Sequence, residues 1–364
     1  MRISIDRMVH LLPCSIRQDA RERGLPYISD AELSKRVITE AKQTPQRAWL
    51  GEVSSVVLQQ ALADLNAAYR NFFASITGKR KGAKVAPPKF RSRKDRRQAI
   101  RFIHNARFQI TVGGKLRLPK IGDVKVRWSR RPPSEPSSVT VVKDASGRHF
   151  ASFVVEVGEQ SLPETTAEVG IDLGLTHFAV LSDGRKIDNP RFLRRAERRL
   201  KKAQQALSRK EKGSNNRAKA RAKVAKAHAR MADARRDFTH KLSTRIIRES
   251  IQAVIVEDLS VKGLARTKFA KSVHDAGWGQ FTAMLAYKAA RHGRTFTKID
   301  RWFPSSKLCS ACGAVAESMP LNVRTWACSC GAGHDRDVNA AINILAAGQA
   351  ERLNACRGTV RPSA

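Results

Sequence analysis

Acidic residues are scarce in this chain of 364: 32 Asp and Glu stand against 69 Lys and Arg, a formal net charge of +37. A compact fold carrying that field repels itself unless a polyanion neutralises it, and nucleic acid is the usual polyanion inside a cell. Long apolar runs are missing too. None approaches the roughly 18 residues that a membrane span requires and no lipidation signal is visible, so the charge is not read as that of a membrane protein. Nothing at the N-terminus looks secretory, so the six cysteines are expected as reduced thiols in a cytoplasmic, nucleoid-associated protein of prokaryotic type; a disulfide cluster is the alternative. Finally, residues 191–248 contain no proline, one glycine and few large apolar residues, while 21 Lys and Arg meet only 4 Asp and Glu. Ala, Arg, Lys and Gln favour helix, which predicts a helical hairpin turning near Gly213-Ser214-Asn215-Asn216. Without sustained apolar heptads it is neither a coiled coil nor an independent core. It reads as a basic surface stripe, including Arg198, Arg199, Lys201 and Lys202, that lies along a nucleic-acid duplex.

Against these absences stands one dense stretch, CSACG…CSCGAGHDRDVNAAINIL. Cys309 and Cys312 form one close pair, Cys328 and Cys330 a second, and two such pairs suit a tetrahedral Zn²⁺. The second pair is one residue short of the usual spacing, and His334 is the stand-in if a cysteine cannot reach the metal. A helix is expected over Val338 to Ala347. Asp335 reads as its N-cap, whereas Asp337, in the first turn, is placed either to cap or to hold a cation. Two further carboxylates lie in apolar strands. Asp172 interrupts EVGIDLG, and Glu257 ends the run Ala253-Val254-Ile255-Val256; burying either is costly unless it is paired or binds metal. Asp258 is expected on the opposite face, Asp183 in a turn, and His177 as a partly buried neutral histidine.

The length allows two to three domains. A helical signal starts at Ser29-Asp30-Ala31-Glu32 and strengthens from Trp49 to Ile76, where Leu58, Leu62, Leu65, Tyr69, Phe72 and Ile76 recur at helical steps. The run GKRKGAKVAPPKFRSRKDRR follows, a phosphate-contacting linker with Lys79, Arg80, Lys81, Arg91, Arg93, Arg96 and Arg97, and with Phe90 placed to stack on a base. Short alternating runs over Ile100–Ile103, Phe108–Val112, Lys115–Leu118, Val124–Trp128, Ser138–Lys143 and His149–Val157 suggest a small barrel. Asp172, Glu257 and Asp337, in the order strand, strand, helix, match an RNase H-like nuclease in which carboxylates hold Mg²⁺ or Mn²⁺ for phosphodiester hydrolysis.

GIDLGLTHFAVLSDG, IVEDLSVKGL and CSACG…WACSCGAGHDRDVNAAINIL resemble the three RuvC motifs and interposed zinc ribbon of TnpB/OrfB proteins, transposon-encoded relatives of the type V CRISPR effectors. WLGEVSSVVLQQALADLNAAYRNFF resembles that family's helical region. The resemblance implies an RNA-guided DNA endonuclease, historically labelled a transposase, with a guide RNA from the transposon end and double-stranded target DNA as partners. It places the third acid on Asp337. It also implies an organisation of α/β and β domains: a helical recognition region (1–77), a basic linker with a wedge-like β-barrel (78–160), a RuvC-like core (161–300) carrying the hairpin 191–248, a zinc ribbon (301–333), a final RuvC segment (334–350) and a tail (351–364). Family members begin with a basic strand and an RFVYN-like helix, which MRISIDRMVHLLPC does not supply, so an altered or truncated N-terminus is expected. A non-catalytic RNA-guided or plain DNA-binding, regulatory protein of the transposon is the alternative.

Overall fold

The computed structural model describes residues 28–88, 98–158, 160–249, 251–320 and 322–357, with side chains to 353, and scattered positions between 16 and 26. Cys14, Phe90, Arg91, Arg93, Arg96, Arg97 and the segment 1–15, where the altered start was expected, lie outside the described residues. The chain divides into two compact units, Met1–Val157 and Gly158–Ala364.

In the first unit, helix α1 (Asp30–Ser34) begins where Ser29 Oγ accepts the Glu32 N–H at 3.2 Å, satisfying an otherwise unpaired donor of the first turn. Helix α2 (Ser55–Ile76) carries Leu58, Leu62 and Leu65 on one buried face. Leu33, Val37, Ile38 and Leu50 pack with Leu58 and Leu62 into one apolar cluster. The strands are β1 (Gln98–Ile103), β2 (Gln109–Ile110), β3 (Leu116–Leu118), β4 (Gly122–Val124), β5 (Ser138–Lys143) and β6 (His149–Val154). They do not hydrogen-bond as a single barrel but as two three-stranded antiparallel sheets, β1-β5-β6 and β2-β3-β4. Pro132, Pro133 and Pro136, which offer no N–H to a ladder, stand in the strand-free connection between β4 and β5, where the chain passes from one sheet to the other. Trp128, expected in a strand, instead donates its Nε1–H to the Gly114 carbonyl at 2.7 Å and stacks on Phe153 at 5.3 Å. Phe102, Leu116, Leu118 and Val139 nevertheless share one core with Val57 of α2.

The second unit runs β7 (Glu168–Asp172), β8 (His177–Leu181), β9 (Lys186–Asp188), α3 (Phe192–Ser208), α4 (Asn215–Arg248), β10 (Ala253–Glu257), α5 (Val261–Leu264), α6 (Ala270–Ala276), α7 (Trp278–Arg291), β11 (Thr295–Ile299), β12 (Thr325–Ala327), β13 (Gly333–Asp335) and α8 (Arg336–Arg357). Five strands form one sheet in the order β11-β10-β7-β8-β9. Strand β10 is parallel to both neighbours, while β7, β8 and β9 form an antiparallel meander. The unbroken apolar run Ala253–Val256 is fully buried, as a strand covered on both faces must be. Alternation divides it. Val254 and Val256 join Val169, Ile171, Ile246, Ile247, Phe281 and Leu285 on the face covered by α4 and α7, whereas Ala253 and Ile255 meet Ile344 of α8 on the other.

Helix α8 approaches β7 closely because position 170 is glycine: a Cβ there would lie 2.2 Å from the Ala341 carbonyl oxygen. The basic hairpin forms, with its turn over 209–214. Its reading as surface alone needs correction at the base, where Thr239, Leu242, Ser243, Ile246 and Ile247 are buried. Leu242 and Ile246, one turn apart, give the end of α4 an apolar stripe that its earlier turns lack. Among the described residues no helix is long and apolar enough to cross a membrane.

Candidate active site and metal cluster

Asp172 is the last residue of β7 and Glu257 the last of β10. Because Ile171 is in register with Val256, the two acids end neighbouring parallel strands at one level. By the period of two they lie on the face that also holds Gly170 and Ile255, the face covered by α8. Asp337 sits in the first turn of that helix. Packing of α8 over Gly170 therefore brings the third acid to the carboxyl ends of the two strands. The electrostatics agree: burial first, then the charges of Asp337 and Glu257, push the Asp172 carboxyl up to about 7. Burial and the neighbouring Asp258 push Glu257 up to about 7 as well. Asp172 is thus a desolvated carboxyl raised further by two neighbouring acids, the kind of site that a hard divalent cation relieves.

The other acids have different work. Asp335 Oδ1 accepts the N–H groups of Asp337 and Val338, each at 3.1 Å, which is an N-cap, and Oδ2 pairs with Lys186. Asp258 turns away and pairs with Lys298 and Arg301. Asp183 bonds the backbone N–H of Arg185 in the turn after β8.

Two residues that the sequence did not single out as functional lie against Asp337. Arg324 places Nη1 3.2 Å from Asp337 Oδ1 and donates from Nη2 to Thr176 Oγ1 at 3.2 Å. His177 is partly buried, as expected, and its Nδ1 is enclosed without a hydrogen-bond partner 3.9 Å from Asp337 Oδ2. The signal for Arg324 was the pairing of the ribbon hairpin. Thr325 is in register with Asp335, and the Arg336 N–H bonds the Arg324 carbonyl, which delivers Arg324 to the start of α8. Beside Thr176 opens a cavity of about 180 Å³ whose lining includes Asn189, Arg191, Arg194, Phe269 and Ser272.

The four cysteines converge. Cys309 and Cys330 sulfurs lie 3.8 Å apart, those of Cys312 and Cys328 3.7 Å, and all four fall within 4.8 Å of one another. A tetrahedron of ~2.3 Å metal–sulfur bonds has edges of about 3.8 Å, whereas a disulfide bond is about 2.05 Å long. The cluster thus has the dimensions of a metal site. The shortened second pair still turns, because the Gly331 N–H bonds the Cys328 carbonyl and Gly331 takes φ 88°. His334 completes no missing corner; its Nε2 lies 3.1 Å from Cys309 Sγ, beside a full set of thiols.

Of the basic residues, Lys79, Arg80 and Lys81 follow α2 in the first unit, and Arg198, Arg199, Lys201 and Lys202 lie on α3 in the second. All seven are exposed.

Residues 152–268 match the family model OrfB_IS605, described as "Probable transposase", and residues 278–344 match "Cas12f1-like, TNB domain". A protein of Streptomyces pristinaespiralis named "Putative RNA-guided DNA endonuclease" is 50% identical over 345 residues, 94% of this chain and 82% of that one. The protein of the same name designated InsQ, from Escherichia coli K12, is 31% identical over 353 residues, 92% of this chain and 84% of its own. Among solved structures, that titled "Cryo-EM structure of the Cas12f1-sgRNA-target DNA complex" shares the fold with a TM-score of 0.53 at 13% identity, covering 94% of this chain and 82% of the other. The acid cluster, the cysteine cluster and these relatives lead to one assignment: the chain belongs to the OrfB/TnpB family of transposon-encoded proteins.

Proposed function

We propose that this protein is an RNA-guided DNA endonuclease of a transposable element, which hydrolyses phosphodiesters at Asp172, Glu257 and Asp337. The observations supporting this reading are that Asp172 and Glu257 end neighbouring parallel strands in one register and that the charges of Asp337 and Glu257 both act on the buried Asp172 carboxyl, in a chain of net charge +37. Their oxygens would hold Mg²⁺ or Mn²⁺, hard cations that prefer such ligands. When bound, a pair of these ions activates water on one side of the scissile phosphodiester and stabilises the leaving oxygen on the other. The chain's own task is placement. Strand register fixes Asp172 against Glu257, and Arg324 orients Asp337 while bringing positive charge to acids that would repel a phosphate. Cys309, Cys312, Cys328 and Cys330 would hold a structural Zn²⁺, which fixes the hairpin that carries Arg324.

A guide RNA from the transposon end and double-stranded target DNA are the partners; the relatives' names and the titled complex support them. Lys79, Arg80, Lys81, Arg91, Arg93, Arg96 and Arg97, together with Arg198, Arg199, Lys201 and Lys202, would contact phosphates. The first unit is read as recognition helices with a wedge-like β region. The test is to sequence RNA that copurifies with the protein and to offer plasmids that match or scramble its guide segment. Magnesium-dependent cutting of the matched plasmid alone is expected. Retention of the matched plasmid in a gel shift without any cutting would move the protein to the non-catalytic reading.

A further inference from the structure

Trp302 is 84% exposed, the most exposed of the described aromatic side chains. A large apolar ring left in water ordinarily marks either a mobile segment or a contact surface. Mobility does not describe this one. The Trp302 N–H donates to Asp300 Oδ1 at 2.7 Å, and the Phe303 N–H closes the same turn on the Asp300 carbonyl. On one side Arg301 is held by Asp258; on the other Phe303 packs into the core with Ala253, Ile255, Ile299 and Ile344. The indole is therefore presented on a backbone fixed at both neighbours.

Its position says what it is presented to. Ile299, the last residue of β11, is in register with Glu257, and the Asp258 N–H bonds the Ile299 carbonyl. Trp302 follows three residues later at the same carboxyl edge of the sheet as the acids, joined to the Glu257-Asp258 dipeptide through Arg301. A strand that reaches those acids passes this edge. The neighbouring cations Lys298 and Arg301 are engaged by Asp258, so the ring is the feature turned outward.

We infer that Trp302 is a base-stacking platform for single-stranded DNA entering the acid cluster. The inference rests on the nuclease reading for its substrate, and it deepens that reading by assigning a contact to a base rather than to a phosphate. Stacking is tolerant of sequence because every base offers a π face, which suits an enzyme whose selectivity is delegated to a guide. A ring fixed in advance contributes without losing conformational freedom on binding.

The test uses the full chain with its copurified RNA. Binding of a mixed-sequence single-stranded oligodeoxynucleotide is followed by tryptophan fluorescence in an Asp172→Ala background, and KM for cutting the guide-matched plasmid is measured with Asp172 intact. Trp302→Ala should weaken binding and raise KM by about 5- to 150-fold, the range for one stacked base. Trp302→Phe should recover most of that, Trp302→Leu little, and quenching by the oligonucleotide should shrink in every Trp302 variant. Unchanged affinity in Trp302→Ala, or full recovery by Trp302→Leu, overturns the inference; the latter outcome would indicate an apolar protein contact. Loss of copurified RNA from Trp302→Ala likewise overturns it in favour of a guide contact. Failure of every protein to cut, with Trp302-dependent quenching retained, sinks the nuclease reading and leaves the DNA contact standing.

Discussion

Replacing Gly170 by alanine tests how the acid cluster is assembled without touching an acid. The new Cβ would lie 2.2 Å from the Ala341 carbonyl oxygen, 2.6 Å from the Leu345 nitrogen and 2.9 Å from Leu345 Cβ. Two of these atoms are helix backbone and cannot swing aside, so α8 must retreat from β7 as a unit. Overpacking of this kind costs about 1–3 kcal/mol, and sometimes more. The retreat also carries Asp337 away from Asp172, and a displacement of about 1 Å at a reacting centre costs on the order of 100-fold in rate. Gly170→Ala should therefore unfold at lower temperature or denaturant and cut about 100-fold more slowly. Its retention of target DNA in a gel shift should stay close to that of the unaltered protein, since the exposed basic residues are undisturbed. Plasmid cleavage under single-turnover conditions, beside thermal unfolding, measures both effects. A Gly170→Ala protein with unaltered cleavage and stability would refute the claim that this close approach positions Asp337.

Freshly purified, reduced protein should carry about one zinc by elemental analysis, and chelation should cost it both the ribbon fold and cleavage, because a structural zinc contributes on the order of 10 kcal/mol; protein without zinc counts against the four-thiol site. Neutralising Arg198, Arg199, Lys201 and Lys202 together should lower the log–log salt slope of duplex binding by about 0.9 for each phosphate that the helix no longer neutralises; an unchanged slope would make α3 a solvated face. In metal-free protein, Asp172 and Glu257 titrate near 7 when folded and near 4 when unfolded. The folded state then binds more protons in that window, so stability is fully present below pH about 4 and falls as pH rises to about 7. Asp172→Asn should flatten part of this fall and raise stability at pH 8, as should added Mg²⁺ with the unaltered chain; equilibrium denaturation across pH reads both, and a stability that rises over that window contradicts the arrangement.

The features that could be read from the sequence were those written locally. The run Ala253–Val256 ended in Glu257 and announced a strand covered on both faces, and an aspartate after Val169 and Ile171 at the end of β7 announced a buried carboxyl. Cysteine spacing announced the cluster, and the Asp335 cap is a short-range hydrogen bond. Features set by pairing across distance were not legible in this way. Arg324 reaches Asp337 only because β12 and β13 pair in one register, and His177 comes beside Asp337 only because β8 folds back on β7. The division of the first unit's strands into β1-β5-β6 and β2-β3-β4 is likewise set by which strands meet across distance. The base of α4 is core because α7 packs on it, an arrangement that its own composition only hinted at.

The most direct test of the central claim is cleavage of a guide-matched plasmid in Mg²⁺ by the protein with its copurified RNA, run for Asp172→Ala, Glu257→Ala, Asp337→Ala and Asp335→Ala beside a gel shift of the same complexes. Each of the first three is predicted to lose cleavage and keep binding, because a site that holds two ions fails when any one carboxylate is removed. Asp335→Ala loses a cap worth about 0.5–2 kcal/mol and is predicted to keep measurable cleavage. Cleavage that survives Asp337→Ala and disappears with Asp335→Ala would contradict the assignment.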